Sequence, residues 1–237
     1  MARRTVPTAL CAAALAGGLL AGCGGSSSSS GNGVEAKSAS AVVSTALAAA
    51  ERAKSVHVTG AVTSKGTPVK LDLALSTAKG AVGTISEGGL SLQLIRIGTR
   101  AYIKGGASLY ERYGGAEAAK LLEGKWLEAS AASGELAALS DLTDPKTLLA
   151  ETLKSHGSLT KGASTTIDGQ KAIAVTDTKK HGTLYVATSG KPYPIEIVKT
   201  GSEAGKFTFG QWNAPVSVKP PPPANVIDLE KLEEKAS

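Results

Sequence analysis

From residue 35 onward the spacing of apolar positions switches between two periods, and each switch marks a different kind of element. Ala39, Val42, Val43, Ala46, Leu47 and Ala50 recur three and four apart, which predicts an amphipathic helix with a small-residue face between Glu35 and Lys54. The period then drops to two. Val56, Val58 and Val62 alternate with His57, Thr59 and Thr63, and Val69, Leu71, Leu73 and Leu75 alternate with Lys70, Asp72 and Ser76. Leu90, Leu92 and Leu94 alternate with Ser91 and Gln93. Turn residues separate these runs at Gly66-Thr67-Pro68, Lys79-Gly80 and Glu87-Gly88-Gly89. The pattern is that of an antiparallel meander with one apolar and one polar face.

At Leu94-Ile95 the alternation changes phase, and Ile95 and Ile97 carry the apolar parity onward. A bulge, or cover on both faces, accounts for such a change. Ala101 to Lys104 and Lys125 to Leu127 read as short strands, with a turn or two of helix over Ala116 to Leu122. Ala129 to Leu142 reads as a small helix and loop. Asp144-Pro145 is a helix start, Asp as N-cap and Pro at the first position, and that helix sets Leu148, Leu149 and Leu153 on one side before stopping at His156-Gly157. Strands return over Thr166 to Val175 (with an Asp168-Gly169 turn), "GTLYVAT" from Gly182, "YPIEIV" from Tyr193 and "KFTFGQW" from Lys206. Pro220 to Pro223 is expected to end the sheet, because proline cannot donate to a ladder. No internal repeat is seen. Helix, strands, helices, strands is an α+β order.

The beginning of the chain has a different character. Arg3 and Arg4 precede an apolar run from Thr5 to Leu20 that is too short and too near the terminus to read as a membrane span, and has the layout of a secretory signal. The run closes on Leu20-Ala21-Gly22-Cys23, which resembles the bacterial lipobox, whose thiol becomes a thioether to diacylglycerol. Residues 1–22 are therefore expected to be a lipoprotein signal peptide. Residues 23–33 are expected to be the lipidated Cys23 with a Gly/Ser tether, and 34–237 a single domain with a Pro-rich C-terminal segment. A cell-membrane location on the extracytoplasmic side, held by N-terminal acyl chains, follows, since two or three chains hold a protein on a bilayer where one does not. Ten tether residues span roughly 17 Å root-mean-square.

The same boundary changes the cysteine and charge arithmetic. Cys11 leaves with the signal and Cys23 is consumed by lipid, so the folded body has no thiol for a disulfide or a metal. The net charge of +6 falls to +4 (24 basic against 20 acidic) without Arg3 and Arg4, which is too weak and dispersed to argue for nucleic acid. His57, His156 and His181 stand apart, with no metal-ligand spacing and no H-E-x-x-H. There is no G-x-S-x-G, P-loop or dinucleotide fingerprint, so no catalytic residue, metal or cofactor is expected and the chain reads as a non-enzyme. Aromatics make up 4% of the residues, which disfavours stacking platforms for sugars or single strands. Plentiful aliphatic side chains suit a ligand with neither ring nor charge, such as an acyl chain.

"GTLYVATSGKPYPIEIVKTGSEAGKFTFGQWNAPVSVKPPPPANV", Gly182 to Val226, and "KWLEA", Lys125 to Ala129, complete a resemblance. Together with the lipobox, the tether and the order of elements, they make the chain similar to the LppX/LprG-type lipoproteins of actinobacteria, within the wider LolA/LolB-like group. The resemblance implies a curved antiparallel β-sheet, a half-barrel, with helices over its concave face and an apolar cavity holding lipid or lipid-modified molecules. Carried onto this chain, the expected wall is Leu71, Leu73, Leu75, Leu90, Leu92 and Leu94. Leu148, Leu149 and Leu153 would close it from the helical side, and Ile195, Ile197, Phe207 and Phe209 from the returning strands. Leu121, Leu122, Leu136 and Leu139 would join the lid. The expected partners are a lipid or acylated small molecule and the membrane, with no nucleic acid; an envelope transporter is left open. From the apolar parity alone the competing reading is a packed core under helices. In that case the chain would be a tethered surface adaptor that docks another envelope protein and holds no lipid.

Overall fold

The computed structural model describes residues 31–132, 141–154 and 157–231. The signal, Cys23, Leu136, Leu139, His156 and most of the expected small helix after Ala129 lie outside the described residues. Twelve strands form one open sheet in the order β12-β6-β5-β4-β3-β2-β1-β11-β10-β9-β8-β7. The first meander is β1 (Ser55–Ser64), β2 (Thr67–Ser76), β3 (Gly80–Glu87), β4 (Leu90–Ile97), β5 (Arg100–Gly105) and β6 (Trp126–Ser130). The second is β7 (Leu159–Ile167), β8 (Gln170–Asp177), β9 (Gly182–Ala187), β10 (Pro194–Lys199) and β11 (Gly205–Gly210). β11 closes against β1, which joins the two meanders into a single curled α+β sheet.

Among the described residues, two helices with both ends described line its inner face. α1 (Ala39–Glu51) starts at Ser38, whose Oγ accepts the Ala41 amide at 3.3 Å. Its Val42, Val43 and Ala46 bury against Ile173, Val175, Leu184 and Val186, while Ala50 meets Val56, Val58 and the β2 leucines. α3 (Pro145–Lys154) starts at Asp144, whose carboxylate accepts the Lys146 and Thr147 amides at 2.9 and 2.8 Å. Between them in sequence, α2 (Ala107–Leu122) packs beside β4 and β5 and breaks at Gly115, where φ is +78°. The helix is longer than the Ala116 to Leu122 expected, because Leu109 and Tyr110 anchor an additional N-terminal segment. The Tyr110 hydroxyl accepts the Gly105 amide at 2.8 Å.

The curl has a local cause in glycine. A Cβ on Gly60 would lie 2.1 Å from the Lys206 carbonyl oxygen, and one on Gly83 would lie 2.0 Å from that of Asp72. Only glycine lets neighbouring strands approach this closely, and such points are where a sheet bends.

Two expectations about the sheet are corrected. The prolines do not end it. After Pro220–Pro223 the chain adds β12 (Val226–Asp228), which pairs parallel to β6, so the sheet is mixed rather than wholly antiparallel. The intervening residues 211–225 have already crossed the outer face, where Ala214, Pro215 and Val216 border Ala74 and Val82, and the prolines border Tyr102 and Glu128. The phase change at Ile95 then has its explanation. β4 runs in regular register with β3 and β5, and Ile95 pairs between Val82 and Tyr102 in the row that this segment crosses. Cover on both faces, not a bulge, produces the change. β7 begins earlier than expected, at Leu159, because its sequence LTKGASTTI sits at an exposed edge and has no apolar face to alternate.

Candidate functional site

The inner face is closed in one half, and in the other a cleft opens beside a second buried cluster. In the first half Val58, Leu73, Gly83, Leu94 and Ile103 form one cross-strand row. Leu71, Leu73, Leu75, Ile85, Leu94, Leu149 and Phe209 are all buried in one cluster, with Leu73 at 0%, Leu94 at 1% and Leu149 at 1% exposure. Leu92 and Phe207 pack half-buried against its margin. Leu90, next to the β3–β4 turn, is half-buried and belongs to neither main cluster.

The hollow lies across β8, β9 and β10. Val175, Leu184 and Ile197 floor a cleft of about 460 Å³ whose other apolar walls are Val43, Leu142, Leu148, Leu153 and Leu159. That volume falls within the range of about 300–1,000 Å³ usual for small-ligand sites. Polar groups are confined to its margins: Glu151, Thr152, Asp177, Lys180, Thr183 and Lys199. Lys199 is ion-paired with Glu203. Asp177 ties two margins together. One oxygen accepts the Gly157 amide at 2.6 Å, and the other accepts those of Lys179 and Lys180 at 2.9 and 3.0 Å. The Gly157 donor first, then that of Lys180, hold its carboxyl below the usual carboxylate range against a smaller desolvation in the opposite direction, and Lys179 adds to the lowering.

Of the expected wall, Leu148, Leu153 and Ile197 line this cleft. Leu71, Leu73, Leu75, Leu94 and Phe209 do not; Leu149 of α3 and Ala50 of α1 close directly upon them, and all are buried in one cluster. Ile195 is displaced for a different reason. The register of β10 against β9 shifts between Pro194 and Glu196, which puts Ile195 out of step with Ile197 and into a separate cluster with Ala172 and Ala187. Leu121 is no lid residue at 73% exposure. The lining that sequence reasoning passed over, Val43, Leu159, Val175 and Leu184, was partly signalled: Val175 and Leu184 lie on strands with visible alternation.

An open, curled sheet with helices on its inner face and an apolar cleft beneath them is the architecture that the sequence resemblance implied. No family model and no curated protein matches the sequence. Among solved structures, LprF from Mycobacterium bovis superposes with a TM-score of 0.54 at 15% identity, over 77% of this chain and 96% of that one. MucB follows at a TM-score of 0.37 and 16% identity, over 78% of this chain and 61% of its own. At such identities the likeness is one of fold. The fold is like that of LprF, and it agrees with the curled sheet under helices that the sequence resemblance implied.

Proposed function

We propose that the protein is a lipoprotein anchored through acylated Cys23 to the extracytoplasmic side of the cell membrane, and that it binds a lipid or acylated molecule and carries it between membranes or to the envelope. The observation that supports this reading is the cleft over β8–β10, whose floor of Val175, Leu184 and Ile197 is aliphatic and whose helical side adds Val43, Leu148 and Leu153, with Glu151 and Thr152 beside them. Each methylene moved from water into such a site gains about 0.8 kcal/mol, and a bilayer offers nearly the same. A carrier thus needs only rough parity with the membrane, which an aliphatic wall with polar groups at its margins supplies.

The filled half favours the second reading, a tethered adaptor with a packed core. The substitution Ile197→Trp separates the two. Ile197 is half-buried in the cleft, so the indole occupies ligand space rather than core. Binding of a fluorescent fatty-acyl probe should fall by tenfold or so while the melting temperature stays near wild type, since overpacking a closed core instead costs about 1–3 kcal/mol. A wild type that neither binds the probe nor carries acyl lipid by native mass spectrometry defeats the carrier reading and leaves the adaptor.

A further inference from the structure

The described chain starts at one end of the sheet. The Asn32 amide donates to the Thr188 carbonyl at 2.8 Å, and its side-chain Nδ2 donates to the Ala187 carbonyl at 2.8 Å. Ala187 closes β9, and the Thr188 amide in turn donates to the Lys171 carbonyl at 3.0 Å. α1 also finishes at this end, where Arg52 and Lys191 border a common groove with Pro192. The Lys54 amide donates to Asn213 Oδ1 at 2.8 Å, and Asn213 Nδ2 donates to the Tyr193 hydroxyl at 2.8 Å. Tyr193 stacks flat on Trp212, with centroids 4.4 Å apart and planes 6° from parallel.

Arg52, Lys54, Lys171 and Lys191 are all exposed, and none has an ion-pair partner among the described residues. The acidic groups at this end are Glu35, exposed beside Gly31, Glu51, which is half-buried, and Asp168 in the β7–β8 turn. The local balance is positive, and two amphipathic aromatic rings, of the kind enriched at membrane–water interfaces, stand beside it.

We propose that this end of the domain rests on the anionic headgroups of the membrane to which the chain is anchored. The proposal rests on the Cys23 anchor argued above. Eight residues, Gly24 to Gly31, separate Cys23 from Asn32. Even fully extended they reach no more than about 32 Å, so the end bearing Asn32 is the one held nearest the bilayer. Charge complementarity then selects the orientation, since each basic side chain near an anionic leaflet raises partitioning about fivefold. The cleft runs to the opposite strand ends, at Asp177, Gly182 and Lys199. Docked this way, that side of the cleft faces away from the anchoring membrane.

The test uses the mature, lipidated chain in vesicles of phosphatidylcholine alone or with phosphatidylglycerol. Lysine acetylation, read by mass spectrometry, reports which side chains the surface covers. On anionic vesicles Lys54, Lys171 and Lys191 should be acetylated about fivefold more slowly than on neutral ones, while Lys65, in the β1–β2 turn at the far end, should not change. High salt, and the double variant Arg52→Glu with Lys191→Glu, should abolish the difference at Lys54 and Lys171. Equal protection on both vesicle types, or protection of Lys65 alongside the others, overturns the proposal. The mass of the mature amino terminus is measured in parallel. A chain without acyl groups defeats the anchor reading, and its co-flotation with anionic vesicles then decides the surface by itself: flotation that the double variant abolishes supports it, and none overturns it.

Discussion

Strands β1–β4 present Leu71, Leu73, Leu75, Ile85 and Leu94 to α1 and α3, and strands β8–β10 present Ile173, Val175, Leu184, Val186 and Ile197 to the same two helices. In the first half Leu149, Ala50 and Phe209 fill the space between sheet and helices. In the second, Val42, Val43, Ala46 and Leu153 bury against the strands, but a cleft of about 460 Å³ stays open beside them under Leu148. The strands are equally apolar in both halves, so what separates core from cleft is the cover: which helical side chains arrive, and how far they reach. Leu148 stands at the boundary, packing against the filled cluster and lining the cleft at once.

The largest effect should come from truncating matched residues in the two halves. Leu94→Ala opens a hole in a closed cluster, and such changes cost about 2–5 kcal/mol because the surroundings relax only partly. Ile197→Ala widens a space that is already there and adds no closed void, so its cost should stay below about 2 kcal/mol. Urea unfolding of both variants measures the difference. Equal midpoints would mean that the cleft is packed as tightly as the core, and the comparison would fail.

A smaller effect is expected from the cover itself. Asp144 accepts two amides at the start of α3, and losing an N-cap costs about 0.5–2 kcal/mol. Asp144→Ala should therefore speed amide exchange through α3 and shorten retention of an acyl probe, while α1, capped by Ser38, keeps its protection. Loss of protection in both helices alike would show that they move as one unit, with no independent cover over the cleft.

How far the sequence reached follows the same division. The period-2 runs of β1, β2 and β4, the Asp144-Pro145 helix start and the α+β order were legible because alternation and capping are local. β12 was not, since its pairing to β6 is a long-range event that three residues after a proline run cannot announce. The displacement of Ile195 depended on a register shift against β9, and YPIEIV reads the same with or without it. Leu71 to Leu94 were expected to line a cavity because the family resemblance implies one; apolar parity, which alone reads as packed core, marks the inner face but does not report what stands opposite. That information sits above all in Leu149, which is distant in sequence from the strands it closes upon.

The smallest effect concerns the margin of the hollow half and is dependent on pH. Asp177 joins the β8–β9 turn to the residue leading into β7, through the Gly157, Lys180 and Lys179 amides. Because these donors favour the ionised form, its carboxyl titrates lower when folded than when unfolded. The stabilisation is therefore complete above the ordinary carboxylate value of about 3.9 and is lost as the pH falls through the lowered folded value. Asp177→Asn keeps the shape and removes the charge. Its melting temperature should lie below wild type at pH 7, with the gap closing only in the acid range beneath that ordinary value. Melting curves of the two proteins across pH test this, and a gap that stays constant down to acid would show that the charge is not what the three amides hold. Retention of an acyl probe at neutral pH should fall in the same variant, since Asp177 borders the cleft, whereas the buried Leu94 cluster, which it does not touch, should keep its amide protection.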